Sequence, residues 1–257
     1  MTRGLWRAGL VAHLAGALLA AAPRHEVSLM GATSVLPYLR AASAAFMSAH
    51  PGYRVTLAGG GSVAGLVEVS RGRVDLAVAD IPPRSEWTQG VQLCHTALGR
   101  LPILFIAHQG LVTHLSATQL REILVGRIRN WSAVGGPHER IVVVSRSLAS
   151  GALQVVERQL LGGQRVTSHA IVMLSNGAVF TTVRETPGAI GYVESGQPPS
   201  GVAILQVDQH RFARHDPGAW PYYAVPTLYW RCPGDRRVRD VAGYLASQPW
   251  RREFGLF

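Results

Sequence analysis

Cysteine is nearly absent from this chain. Cys94 and Cys232 are the only two, which excludes a small scaffold stapled by several disulfides and leaves no clustered spacing for a zinc finger. Charged side chains amount to only 16% and aromatic ones to 7%. With 47% hydrophobic residues over 257 positions, a disordered chain is excluded and one or two globular domains with a substantial core are expected. No internal repeat and no low-complexity linker interrupts the text. The formal charge of +10 favours an anionic partner in general. Long basic helices and basic-aromatic sheet patterns are missing, so nucleic acid is not the expected partner. The histidines, among them His95, His108, His114, His138, His169, His210 and His215, follow no metal-ligand spacing, so neither metal nor cofactor is expected.

Long hydrophobic runs are scarce as well. Residues 9–22 form the longest, too short for a comfortable membrane span and interrupted by His13. Arg3 and Arg7 precede it and Ala20-Ala21-Ala22 ends it, the pattern of an export signal over residues 1–22. Left uncleaved, the same stretch would be an anchor. No cysteine lies near its end, which argues against a lipid-anchored form. Export would place Cys94 and Cys232 in an oxidising compartment, where they either pair or remain two buried thiols.

From Glu26 onward the chain alternates short apolar runs with helical patterns. Strands are predicted over residues 27–30, 54–58, 74–79, 101–108, 141–144, 189–193 and 222–230. Helices are predicted over 35–49, 63–70, 116–124, 153–161, 176–185 and 238–247, the third announced by the capping-box spacing of Ser116 and Gln119. Residues 126–137 read as loop. Such alternation predicts an α/β fold with largely parallel sheets.

The turns between strands and helices carry the chemistry. In Ser145-Arg146-Ser147-Leu148-Ala149-Ser150-Gly151-Ala152 a buried strand delivers an arginine, and a serine with two following amides opens a helix. The free amides and dipole of a helix start attract an anion, and an arginine adds a bidentate fork. Taken alone, the stretch reads more plainly as an ordinary capped turn with an exposed arginine. Gly31-Ala32-Thr33-Ser34, Gly59-Gly60-Gly61-Ser62 and Ser175-Asn176-Gly177-Ala178 repeat its logic. Asp80 ends the strand of residues 74–79, where parallel strands usually meet a ligand crevice; a solvated loop carboxylate is the plainer alternative.

These turns, with Val74-Asp75-Leu76-Ala77-Val78-Ala79-Asp80, Ile123-Leu124-Val125-Gly126, Asn130-Trp131 and Thr186-Pro187-Gly188-Ala189-Ile190-Gly191-Tyr192-Val193, come in an order and spacing that resembles one family. It is the extracytoplasmic phosphate-binding proteins of ABC phosphate importers, of the type II periplasmic-binding fold. The resemblance implies two lobes, residues 23–98 with 226–257 and residues 99–225, each a mainly parallel sheet flanked by helices, with the ligand cleft between them. It implies a ligand set of Thr33, Ser34, Ser62, Asp80, Arg146, Ser150, Gly151 and Ala152. Asp80 would accept from a protonated phosphate oxygen, Arg146 would clamp two oxygens, and Asn176 would brace the cleft. Ala152 stands where the family commonly has threonine, and Leu148 stands in a region where it often has an acidic residue.

The function so implied is capture of inorganic phosphate, without catalysis, by a periplasmic monomer that serves an ABC permease of the inner membrane. A phosphate sensor or an accessory of a secretion or adhesion system would use the same fold. A serine hydrolase built on Ser62 is a weaker reading, because Gly60-Gly61-Ser62-Val63-Ala64 lacks the final glycine of a nucleophile elbow.

Overall fold

The computed structural model describes residues 25–197 and 199–257; the proposed export signal lies outside them. The elements are β1 His25–Gly31, α1 Leu36–Ala49, β2 Tyr53–Gly59, α2 Ser62–Ser70, β3 Leu76–Ala79, α3 Ser85–Thr88 and β4 Leu93–Ala97. Then come β5 Leu101–Ala107, β6 His114–Leu115, α4 Ala117–Leu124, β7 Val142–Arg146, α5 Gly151–Gln159 and β8 Ile171–Met173. The chain closes with α6 Asn176–Glu185, β9 Ala189–Glu194, β10 Ala203–Ile204, β11 Gln206–Val207, β12 Tyr223–Ala224, β13 Thr227–Arg231 and α7 Arg236–Ser247. Local chemistry sets several of these boundaries. Pro37 falls in the first turn of α1, where its missing N–H costs nothing. Ser116 and Gln119 make the expected reciprocal capping box at α4.

Two sheets organise the molecule. The first has the order β2-β1-β3-β13-β4, the second β10-β5-β9-β7-β8, with β12 also on β5. β1 runs parallel to β2 and β3, whereas β13 is antiparallel to β3 and β4. In the second sheet β7 is parallel to β8 and β9, while β5 is antiparallel to β9, β10 and β12. The α/β class stands, but the expectation of mainly parallel sheets is corrected to mixed ones. Parallel pairs need a crossover helix between their strands. β13 instead returns from the other sheet and slots between β3 and β4.

The strand predicted over residues 222–230 is divided. Val225 and Pro226 separate β12, on the second sheet, from β13, on the first. Proline has no N–H for a ladder and fixes its own φ, so the run breaks where the chain changes sheets. The other passage, residues 98–100, lies beside it: the Leu98 amide donates to the Pro226 carbonyl at 2.8 Å. Two adjacent passages are all that the strands of the two sheets share along the chain.

β5 and β9 are buried along their whole length. One apolar cluster, with Leu39, Phe46, Leu76, Val241 and Leu245, fills the space between the first sheet and helices α1 and α7. A larger one fills the second sheet's surroundings and extends through Leu66, Val69 and Ala79 onto the other face of the first. Trp131 and Trp220 are fully buried in it, and each indole N–H is satisfied by a backbone carbonyl, of Gly188 and Ile103 respectively. Among the described residues no helix is long and apolar enough to cross a membrane.

The alternative left open for the cysteines is decided in favour of a pair. Cys94 in β4 and Cys232 just beyond β13 form a disulfide with their Cα atoms 5.1 Å apart. It ties an edge strand to the last strand of the first sheet. Replacing both with serine should lower stability by about 2–4 kcal/mol, read as a reduced midpoint in denaturant with the circular dichroism spectrum of the folded state retained.

Candidate functional site

The carboxyl ends of β1, β3, β7 and β9 and the starts of α1, α2, α5 and α6 all face one cleft between the sheets. β7 ends on Arg146, whose side chain is 4% exposed. Its Nη2 donates to Thr33 Oγ1 at 3.4 Å across the cleft. Nε and Nη1 are buried with no protein acceptor. Leu148, 74% exposed, offers this arginine no polar partner. The acidic neighbours of Arg146 are instead Asp80 and Glu194.

Asp80, 6% exposed, is braced from both sides by Ser62. The Ser62 hydroxyl donates to Asp80 Oδ2 at 3.1 Å and accepts from the Asp80 amide at 3.0 Å. The one O–H of Ser62 is therefore spent on holding the carboxylate. Oδ1 of Asp80 is buried without a partner. Burial raises the Asp80 pKa from 3.8 to about 6, against the lowering influence of Ser62, Glu194 and Arg146.

From the second sheet, Ser150 caps α5 by accepting from the Leu153 amide at 3.5 Å, leaving its own O–H free to donate. Gly151 and Ala152 supply the first helical amides, with Ala152 fully buried. The two sheets approach so closely here that glycine is required twice. Gly61, at φ +90, would put a Cβ 2.7 Å from the Ala149 carbonyl oxygen. A Cβ on Gly151 would meet the Ser62 hydroxyl and lie 2.8 Å from Asp80 Cβ. The Val63 amide donates to the Ala149 carbonyl at 3.1 Å, closing the gap with a backbone hydrogen bond.

Asn176 braces the cleft as the sequence suggests. Its amide N–H donates to Thr33 Oγ1 at 3.3 Å, and its side chain both donates to the carbonyl and accepts from the amide of Glu194. Glu194 itself escaped the sequence reading. It ends β9, is 3% exposed, and leaves Oε1 unpartnered. Burial, then the facing Asp80, holds its carboxyl well above the usual range. Its position at the carboxyl end of a buried strand is the same signal that marked Asp80.

Contacts thus bring Thr33 to Arg146, Ser62 to Asp80, and Gly151, with Ser150 and Ala152 on either side of it, against Ser62 and Asp80, while Ser34 and Glu194 share a neighbouring cavity. Among the described residues seven buried side-chain atoms lack a hydrogen-bond partner, and five of them belong to Ser34, Asp80, Arg146 and Glu194. Buried polar atoms are rarely left unpaired, and a buried guanidinium is costly unless an anion meets it. Concentration of these atoms in one place marks a site for a small polar anion. No cluster of His, Cys, Asp and Glu among the described residues is suited to a metal ion.

The comparisons with known proteins agree with this fold. A family model described as the PBP superfamily domain matches residues 19–207. The chain belongs to this superfamily. It is 25% identical over 230 residues, 87% of this chain and 76% of the relative, to the phosphate-binding protein PstS of Bacillus subtilis. A PstS of Borreliella burgdorferi is 27% identical over 195 residues, 71% of this chain and 69% of the relative. A putative phosphate ABC transporter substrate-binding protein of Clostridium perfringens, crystallised with bound phosphate, superposes with a TM-score of 0.83 at 22% identity, covering 90% of this chain and 98% of that one. An ABC-type phosphate transport receptor from Vibrio cholerae superposes at 0.74, with 23% identity over 90% and 99% of the two chains. The two-lobed α/β fold expected for this superfamily member is borne out by these superpositions.

Two outcomes test the site. A carboxyl whose pKa is raised on folding stabilises the native state below its unfolded value and loses that contribution as pH rises through the folded value. Asp80 therefore favours the fold below pH 3.8 and stops doing so as pH passes about 6. In ligand-stripped protein, Asp80→Asn should raise the melting temperature at mildly alkaline pH and change it little near the lower value. Gly151→Ala should prevent the close approach at a cost of about 1–3 kcal/mol. Small-angle scattering should show a larger radius of gyration with unchanged circular dichroism.

Proposed function

We propose that the protein captures inorganic phosphate, as hydrogen phosphate, between two lobes and delivers it to an ABC permease. The lobes are residues 23–98 with 226–257 and residues 99–225, hinged at the paired passages near Leu98 and Pro226. Delivery takes place outside the cytoplasm, with residues 1–22 as the export signal, and the protein acts as a monomer. The reading is of capture without catalysis.

One observation carries it: a buried arginine with two unpartnered nitrogens and a buried carboxylate with an unpartnered oxygen come from different sheets to the same helix starts. Arg146 Nη2 has a second N–H beyond the one given to Thr33, and with Nε on one side or Nη1 on the other it makes a fork suited to two oxygens of a tetrahedral oxyanion. The Ser150 hydroxyl, the amides of Gly151 and Ala152, and Thr33 and Ser34 supply neutral donors around the remaining oxygens. Asp80 then chooses among anions. Hydrogen phosphate carries a P–OH that Asp80 Oδ1 can accept, whereas sulfate at neutral pH has no proton to offer and meets the carboxylate as a like charge. Ser62 acts indirectly, by fixing Asp80. The Bacillus and Borreliella relatives named for phosphate binding, and the phosphate held by the Clostridium protein, support the same choice.

Calorimetry on refolded, ligand-stripped protein checks the proposal. Phosphate and arsenate should bind and sulfate should bind far more weakly. Arg146→Ala should weaken every oxyanion by at least about 100-fold, the loss of two charge-assisted hydrogen bonds. Asp80→Asn should narrow the gap between phosphate and sulfate. No heat with phosphate, or equal competition by sulfate, would overturn the assignment.

A further inference from the structure

Exposed apolar side chains gather in one place outside the cleft. Among the described residues five large hydrophobic side chains are exposed, and four of them, Leu148, Ile171, Val172 and Leu174, belong to β8 or to the turns that follow β7 and β8. Leu148 is 74% exposed and Leu174 78%. β7 and β8 run parallel with Arg146 opposite Met173, and the Ser147 amide donates to the Met173 carbonyl at 3.3 Å. The two turns therefore leave the sheet side by side, each presenting a leucine to solvent. Single exposed leucines are ordinary, but a contiguous apolar patch marks a surface that meets a protein or a membrane.

β8 carries none of the devices that usually protect an edge. It is the last strand of its sheet, and residues 166–183 hold no Asp, Glu, Lys, Arg or Pro. Leu148 and Val172 line, with Leu153, a groove of about 400 Å³. Leu148 also borders a second groove, of about 760 Å³, whose walls include Trp87, Arg84, Arg158 and Arg165. The Arg84 guanidinium lies 4.8 Å from the centre of the Trp87 ring. The carboxylates of this groove are already answered, Glu86 by Arg84 at 3.6 Å and Glu157 by Arg165 at 2.9 Å. Arg158 has no ion-pair partner among the described residues and is left as the free cation beside the leucine.

The surroundings of the patch select its occupant. Leucines on turns, an indole and arginines together suit a bilayer surface: apolar tips pass between the headgroups, the indole sits at their level, and guanidiniums meet the phosphates. The formal charge of +10 draws the chain toward an anionic layer and repels a second copy of itself. No carboxylate in residues 166–183 opposes the approach. We infer that this patch is a membrane-contact site, which seats the protein on an anionic lipid surface through Leu148, Val172 and Leu174 with Arg158 on headgroup phosphate. The contact is peripheral and reversible, because few apolar side chains enter. Leu148 follows Arg146 by two positions, so the contact brings the rim of the cleft to the bilayer. Membrane contact does not depend on which anion fills the cleft.

Vesicles of phosphatidylglycerol and phosphatidylcholine with brominated acyl chains test this on the full chain, because bromine quenches tryptophan only at close range. Leu174→Trp should add emission that the vesicles quench. Thr56→Trp, exposed on the edge strand β2 of the other sheet, should add emission that they leave unquenched, which separates the patch from any contact made by residues 1–22. In the Leu174→Trp chain, a further Leu148→Ser should shift the lipid concentration for half-quenching upward by about tenfold, and Arg158→Gln by about fivefold. Rising salt should shift it the same way. If Leu174→Trp fails to fold, Leu148→Trp repeats the measurement from the neighbouring turn. Absence of quenching at the patch, or equal quenching at Thr56→Trp, would overturn the assignment. Quenching as strong in brominated phosphatidylcholine alone would overturn the choice of an anionic surface. A wild type that ignores vesicles yet sediments as a dimer, and a Leu148→Ser variant that sediments as a monomer, would give the patch to a second copy instead.

Discussion

A guanidinium buried between two sheets is the constraint on which the rest of the structure depends. An isolated buried cation is expensive, and attraction offsets that cost only when partners stand at the right distance and remaining donors are met. Arg146 is held at the end of β7, a strand buried from Val143 onward, with Thr33, Asp80 and Glu194 from three other segments around it. Each partner is fixed in turn: Ser62 pins Asp80, Asn176 pins Glu194, and the Thr33 hydroxyl is shared by Arg146 and Asn176. Nε and Nη1 remain unpaired in this network. The cleft is thus a polar site completed only by an anion.

Close approach of the sheets raises the strength of every interaction in the cleft. Removal of water lowers the local dielectric, so a charge that is well partnered gains and one that is not loses heavily. Glycines 61 and 151 are what permit that approach, one by adopting a positive φ beneath the Ala149 carbonyl, the other by offering no side chain to Ser62 and Asp80. Selectivity and dryness therefore have a common origin in backbone contact. On the reading proposed above, the carboxylate that would discriminate between anions is buried, where its charge is screened less than at a surface.

Much of this was legible along the chain. Apolar runs followed by helical periodicity located β1, α1, β2, α2, β5, α6 and α7, and the capping box located α4, because burial on one face imposes the pattern. Asp80 and Arg146 were legible because each follows a buried strand and precedes a turn. Edge strands β4 and β8 were not, since strands exposed on one side need no continuous apolar run. The direction of β13 was hidden because order within a sheet depends on where the chain returns, which no local pattern encodes. Glu194 was passed over for a related reason. It reads as the last residue of an apolar strand before a polar loop, and the acid that helps raise its pKa lies 114 positions earlier, beside another sheet.

The place of β13 has a consequence for biogenesis. Thr227–Arg231 lies between β3 and β4, so the edge strand β4 of the amino-terminal lobe has no neighbour until nearly the whole polypeptide has been made. The strands of the other lobe all come from one continuous stretch, β5 to β12. A chain emerging amino end first can therefore complete its second lobe before its first. Loss of the last 31 residues, from Thr227 onward, would remove β13 and α7 and leave β4 without its neighbour.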